Sequence, residues 1–176
     1  MKTTTTLFKS RTHNEKVVEY LQYYVKYEKQ AKYWTYDAYK KTPFLVHVDT
    51  SAYQLLNTVI HIKPLDESSY ELSYNHTIPR VKVQHYGTKE IKTVTIKTGE
   101  VKATYRYDSL VQHPFLKFTL KKDVNSNSLN YKPFTISFLN FDSVVKSYLG
   151  INVSPVAAGS PIINLSLKGS NKYRLV

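Results

Sequence analysis

Val59-Ile60-His61-Ile62-Lys63-Pro64-Leu65-Asp66-Glu67-Ser68-Ser69-Tyr70-Glu71-Leu72-Ser73-Tyr74 is the stretch whose reading decides the fold. Over Val59 to Lys63 apolar and polar residues alternate, which sends successive side chains to opposite faces of an extended chain. Pro64-Leu65-Asp66 is a turn signal, and Tyr70 to Tyr74 reads as a second extended run. Two antiparallel strands joined by a turn satisfy the whole stretch.

The same pattern continues outward in both directions. Phe44 to Val48 alternates, and Val94 and Ile96 interleave with Thr93, Thr95 and Lys97. Further runs occupy Arg80 to His85, Val101 to Tyr107, Phe115 to Leu120, Phe134 to Phe138 and Ile162 to Leu167, with turn signals at Thr98-Gly99-Glu100 and Asn125-Ser126-Asn127. The 16 Tyr and 7 Phe, against only 5 Gly and 7 Pro, are strand composition. Helix signals stand near the ends. Thr12 and Glu15 fit a capping box ahead of Val17, Val18 and Leu21, predicting a helix over 12–23. Asn140 or Asp142 caps a second from 141 or 142 to Leu149, with Gly150 as a left-handed stop. Ser170 would cap a third that begins with Tyr173, Leu175 and Val176. The fold class expected is α+β, mostly antiparallel β with a few helices.

A chain of 176 residues is one domain's worth, and one this size removes roughly 70% of its unfolded surface from water. The absence of Cys excludes a disulfide framework, thiolate metal sites and a cysteine nucleophile, and leaves the compartment open. No run approaches about 18 consecutive apolar residues, and Met1 is followed by Lys2 and threonines rather than an apolar signal region. The chain as it stands is therefore expected neither to span a membrane nor to carry an export signal.

Familiar catalytic signatures are missing. The five glycines, at 87, 99, 150, 159 and 169, form no phosphate loop or dinucleotide fingerprint. There is no Gly-x-Ser-x-Gly elbow and no His-Glu-x-x-His helix. His47 and Asp49 would share one strand face, and His61 and His76 could approach on neighbouring strands, as an acid/base pair or a metal cluster would require. With six His in a strand-rich chain, a coincidental His-x-Asp on a solvated face is the preferred reading. Three glycosylation sequons, at Asn75, Asn152 and Asn164, are given no weight.

Charge is the strongest compositional bias, with 25 Lys and Arg against 13 Asp and Glu, a formal net charge of +12. Arg80, Lys82, Lys89, Lys92, Lys97, Lys102 and Arg106 face only Glu90 and Glu100. On one face of a hairpin they could meet an anionic polymer; as a solvated, edge-guarding face they need no partner, and that reading is preferred. Seven tyrosines and Trp34 lie between Tyr20 and Tyr39, interleaved with Lys26, Lys29, Lys32 and Lys40. They either stack on bases or sugar rings or pave the half-buried side of a strand under the first helix, and the second reading is preferred.

Three segments resemble the extracytoplasmic domain of Wzz-type chain-length determinants, particularly the Bacteroidetes polysaccharide co-polymerases often fused to a tyrosine kinase. Leu7-Phe8-Lys9-Ser10-Arg11 with Glu15-Lys16-Val17-Val18 is similar to the segment that opens that family's first extracytoplasmic helix. Tyr39-Lys40-Lys41-Thr42-Pro43-Phe44-Leu45-Val46 resembles its passage into the β region. The longest likeness is Phe141 to Tyr148, then Ile151-Asn152-Val153-Ser154-Pro155-Val156 and Ser160 to Leu167, which reads as helix, strand, turn, strand.

The resemblance implies one extracytoplasmic domain over 1–176, in which 9–40 and 140–176 form a membrane-proximal α/β base and 41–139 a β-rich insert. Pro43 would start the β region, Gly150 stop the second helix, and Pro155 keep its segment extended. Beyond Gly169-Ser170-Asn171 the family continues into a long helix returning to the membrane. The implied role is a non-enzymatic scaffold, periplasmic in a bacterial inner-membrane protein, that sets the length or assists the export of capsular polysaccharide, exopolysaccharide or O-antigen. Its implied partners are further copies of itself, the polymerase and export machinery, and the polysaccharide, with no nucleic acid. No catalytic, cofactor-binding or metal-ligating residue carries over, and no cofactor is implied. The competing reading is a basic β-rich module for nucleic acid or another anionic polymer, which flanking membrane segments in the gene would argue against. A glycan-active enzyme built on His47 and Asp49 is a third.

Overall fold

Alternation at Val59–Lys63 becomes β5 (Ile60–Pro64), hydrogen-bonded in antiparallel register to β6 (Ser69–His76), in a computed structural model that describes residues 9–123, 132–150, 152–156, 162–166, 168–169 and 171–174. Ile60, Ile62 and Pro64 are buried while His61 and Lys63 are exposed. Asp66 ties the turn: its carboxylate accepts from the Ser68 and Ser69 amides at 2.7 and 2.8 Å and from both serine hydroxyls. Those donors hold its pKa down at about 2.

Antiparallel β predominates, and the chain divides into two compact units, Val25–Leu139 and the pair of ends Met1–Tyr24 and Asn140–Val176. In the first unit a six-stranded sheet runs β2 (Thr35–Asp37), β1 (Val25–Gln30), β12 (Phe134–Phe138), β5, β6, β9 (Gly99–Arg106). A three-stranded sheet orders β10 (Leu110–His113), β11 (Leu116–Lys122) and β3 (Phe44–Val48). The two present apolar faces to each other. Phe118 meets Phe138 at 5.7 Å, Phe44 stands edge-on to Phe134 at 5.8 Å, and the Val46 amide donates to the Tyr27 hydroxyl at 3.0 Å. This is sandwich packing, in which inner-face side chains interdigitate and the outer faces stay polar.

A third sheet, β4 (Tyr53–Leu55), β7 (Arg80–His85), β8 (Ile91–Thr95), abuts the end of β11. Leu55 donates its amide to Phe115 O at 2.8 Å, and the fully buried Gln54 completes the junction. Its Nε2 donates to Asp49 O and Lys117 O at 3.0 and 2.8 Å, and its Oε1 accepts the Lys117 amide at 2.9 Å.

Tyr70 lies wholly inside the sandwich, its ring 6.1 and 5.1 Å from those of Tyr105 and Tyr107. Its hydroxyl has no hydrogen-bond partner among the described residues, and burial pushes its pKa up. An unsatisfied buried hydroxyl costs about 1–3 kcal/mol of desolvation. Tyr70→Phe is therefore expected to leave stability unchanged or raise it by about 1 kcal/mol in urea unfolding; a loss of that size would mean that the hydroxyl has a partner.

In the unit of the two ends, α1 (Arg11–Tyr20) and α2 (Phe141–Tyr148) are joined through Arg11, which bonds both Glu15 and Asp142. Tyr23 stacks on Tyr148 at 5.2 Å. A hairpin of β13 (Asn152–Pro155) and β14 (Ile163–Ser166) follows, then a 3-10 turn over Lys172–Arg174.

Several expectations are corrected. The first cap is Ser10, whose Oγ accepts the His13 amide, rather than Thr12, and the helix ends at Tyr20, because Gln22 turns left-handed at φ 49°. Asn14 and Val18 form its buried side, while Val17 and Leu21 are half-buried. Asn140 caps α2 through the Ser143 amide, but Leu149 closes it in right-handed geometry and Gly150 is not left-handed. The tyrosine-rich stretch is two strands rather than one, and residues 25–30 and 35–37 pair into the sheet of β12 rather than standing with the chain ends. Pro43 immediately precedes β3 and accepts the Asp123 amide at 3.0 Å. The turn at 125–127, Ser170, Leu175 and Val176 lie outside the described residues. Among the described residues no helix is long and apolar enough to cross a membrane.

Candidate functional site

Asp49 is held by Lys117 Nζ at 2.8 Å and by the Ser51 amide and hydroxyl at 2.9 and 2.6 Å, which together keep its pKa at about 2. His47 stands exposed on β3 opposite Thr119, its pKa lowered by desolvation and by Lys121. Asp49 is thus a structural anion that closes the corner after β3. Among the described residues no group of three or more His, Asp or Glu is placed to hold a metal ion.

The Asp49 cluster carries a pH signature. Its folded pKa lies below the unfolded value of about 3.9, so its contribution is full above about pH 5 and is lost as pH falls through about 2. Asp49→Asn is expected to lower the urea midpoint at pH 7, with the gap to the parent protein closing between about pH 5 and pH 2. A gap that stays constant over that range would show that the carboxylate's charge is not what stabilises the corner.

The basic segment is divided between two sheets rather than gathered on one hairpin face. Arg80 and Lys82 share a face of β7, opposite Thr95 and Thr93 of β8, whereas Lys92 is opposite Val83 and so points the other way. Lys92 pairs with Glu90 at 3.2 Å and lies over the Tyr53 ring. Lys89 donates to Tyr86 O, and Lys102, on β9 of the other sheet, pairs with Glu71 at 3.1 Å. The aromatic stretch divides too: Tyr23, Tyr24, Tyr27 and Tyr39 are buried, while Tyr20, Tyr33 and Trp34 are exposed.

What the topology does bring together is a concavity of about 550 Å³ at the corner where the chain twice crosses between sheets. The first crossing leads from β4 into β5 through Asn57, left-handed at φ 57°, with its amide on Phe138 O and the Leu56 amide on Lys82 O. The second leaves β6 at His76 and enters β7 at Arg80 through Thr77-Ile78-Pro79, whose last carbonyl accepts the Ile96 amide. The two crossings diverge and leave a notch lined by residues 56–59, His61, 75–78 and 80–82.

Its chemistry is one-sided. Arg80 and Lys82 supply fixed positive charge, Asn57 and Asn75 amides, Thr58 and Thr77 hydroxyls, and Val59 and Ile78 exposed apolar surface. No lining residue is a carboxylate, Tyr, Phe or Trp. His76 is 8% exposed, edge-on to Tyr74 at 5.1 Å, and burial lowers its pKa, so at pH 7 it is a neutral donor and acceptor. Such a set can bind and orient an anion.

His61 and His76 both line this notch but are not cross-strand neighbours: His61 is opposite Ser73 and His76 opposite Gly99. Asn75 and 80–82 come from β6 and β7, and the other liners from crossings that alternation does not mark. No protein-family model matches the chain, and no curated protein matches it.

Proposed function

We propose that the chain is the extracytoplasmic domain of a polysaccharide co-polymerase, a non-enzymatic scaffold of the bacterial inner membrane that faces the periplasm and governs the length or export of a surface polysaccharide. In this reading the unit of the two chain ends is the membrane-proximal base and the β unit is the insert. Copies of the whole protein assemble side by side, and their spacing acts on the polymerase and export machinery. One observation supports it above the others. The segments before residue 25 and after residue 139, where the resemblance is most specific, form one compact unit, while the continuous stretch between them folds as another. Two chain ends that fold into one compact unit suit a double anchor.

Location tests the reading directly. Lys16, exposed on α1, is replaced by Cys in the full-length protein, and cells with a permeabilised outer membrane are treated with a membrane-impermeant maleimide. Labelling above that of the parent protein before lysis is expected, and labelling only after lysis overturns the proposal. Deleting the gene should shift or abolish the chain-length distribution of the surface polysaccharide, and an unaltered distribution also counts against it.

A further inference from the structure

We infer that the notch between the β4–β5 and β6–β7 crossings is a binding site for a carboxylate-bearing sugar residue, a hexuronate or similar acidic unit of a polysaccharide. Four features of its lining carry this. Arg80 and Lys82 are adjacent cations on one face of β7, and no lining carboxylate neutralises them. The nearest acidic residue in the register is Glu100, opposite Asn75 on exposed β9 and outside the lining. An arginine fork matches a carboxylate in two bonds, a geometry that a lysine cannot supply alone. The anion is thereby given a place.

Around it stand groups that suit hydroxyls rather than bases. Asn57 and Asn75 each offer donors and an acceptor, Thr58 and Thr77 do the same, and neutral His76 offers one of each. Sugar hydroxyls are both donors and acceptors and need such mixed partners. Val59 and Ile78, 48% and 62% exposed, present small apolar surfaces to the C–H face of a pyranose. Single-stranded nucleic acid is commonly held on aromatic platforms on which bases stack, and the lining contains none. The volume, about 550 Å³, falls within the range of about 300–1,000 Å³ typical of small-ligand sites.

The source of the ligand rests on the co-polymerase reading; the chemistry of the notch does not. The test therefore uses the purified 176-residue chain in solution, where failure bears on the notch alone and leaves the cellular labelling result untouched. Oligogalacturonate, a neutral maltooligosaccharide of the same length and a single-stranded DNA of the same charge are titrated at fixed salt, with amide chemical shifts and calorimetry as readouts. Oligogalacturonate is expected to bind and to move the amides of Asn57–His61 and Asn75–Lys82. R80A/K82A is expected to weaken it at least about tenfold, the loss due to one charge-assisted hydrogen bond or more. R106A/K122A removes the same net charge at the other end of β6, where Arg106 is opposite Ser69 and Lys122 is paired with Glu67, and should change affinity by less than about threefold, since exposed charges beyond a Debye length are largely screened.

The unliganded spectra of both variants check that they fold, and shift mapping on the parent chain needs no variant. The inference is overturned by absence of binding at millimolar oligogalacturonate, by shifts that fall elsewhere, or by equal weakening in the two variants. Equal affinity for the neutral sugar would also overturn it. Tighter DNA binding with the same R80A/K82A sensitivity would assign the notch to nucleic acid instead.

Discussion

Replacing Phe138 with alanine is expected to destabilise the β unit by about 3–5 kcal/mol, the usual cost of deleting a buried aromatic ring together with the cavity it leaves. Phe138 is 0% exposed in the central strand β12, with its ring against Phe118 of the facing sheet. Its backbone is equally committed: its carbonyl accepts the Asn57 amide, it bridges Leu56, and it pairs with Val25. The site cannot collapse easily around a small residue, because three neighbouring segments are fixed through the main chain. Phe138→Leu, which keeps most of the volume, should cost less than half as much. Urea unfolding followed by circular dichroism reads both, and a cost below about 1 kcal/mol for the alanine variant would show that the two sheets are not held by this contact.

Gln54→Leu is expected to be harmful for the opposite reason, since leucine fits the space but cannot hydrogen-bond. The Gln54 side chain stands in for a missing piece of ladder between β4 and β11: it accepts the Lys117 amide and adds a donor to the Asp49 and Lys117 carbonyls, which also take the Ala52 and Asp49 amides at 3.3 and 3.1 Å. Each buried backbone group left without a partner costs about 1–3 kcal/mol. Leucine leaves the Lys117 amide without this partner while both carbonyls keep a backbone donor, and a total of about 1–3 kcal/mol follows. Gln54→Glu separates hydrogen bonding from shape, because it retains the acceptor and loses the donor. If Gln54→Leu unfolded at the same urea concentration as the parent protein, the junction between the sheets would have to be apolar in origin.

Strands that face solvent on one side and core on the other were readable from their alternation. β3, β7 and β12 occupy the segments expected of them, because Val, Ile and Phe recur at every second position. β4 was not readable: its three residues are Tyr, Gln and Leu, and the buried polar member is the one that does the joining. In β1 the outward residues are Lys26 and Glu28 and the inward ones Val25 and Tyr27, so the strand looks like a tyrosine cluster unless its register with β12 is known. Ser10 and Thr12 are both good caps, and only tertiary contacts through Arg11 and buried Asn14 decide between them. The notch was visible only as two unexplained histidines. Its asparagines, threonines and cations are scattered over three segments and acquire a common meaning when the crossings bring them to one corner.

The position of β12 has a consequence for how the protein comes into being. It lies between β1 and β5 and so joins the two halves of the six-stranded sheet, yet it is the last strand of that unit in chain order. During synthesis the amino end emerges first, and the ribosome completes every other strand of the unit before the keystone arrives. Until then β1 and β5 each present an open, apolar edge, the condition that invites aggregation, and the many distant pairings slow the final closure. A nascent chain stalled just short of residue 134 should therefore remain protease-sensitive and dependent on chaperones, and release of the next few residues should end that interval in a single cooperative step.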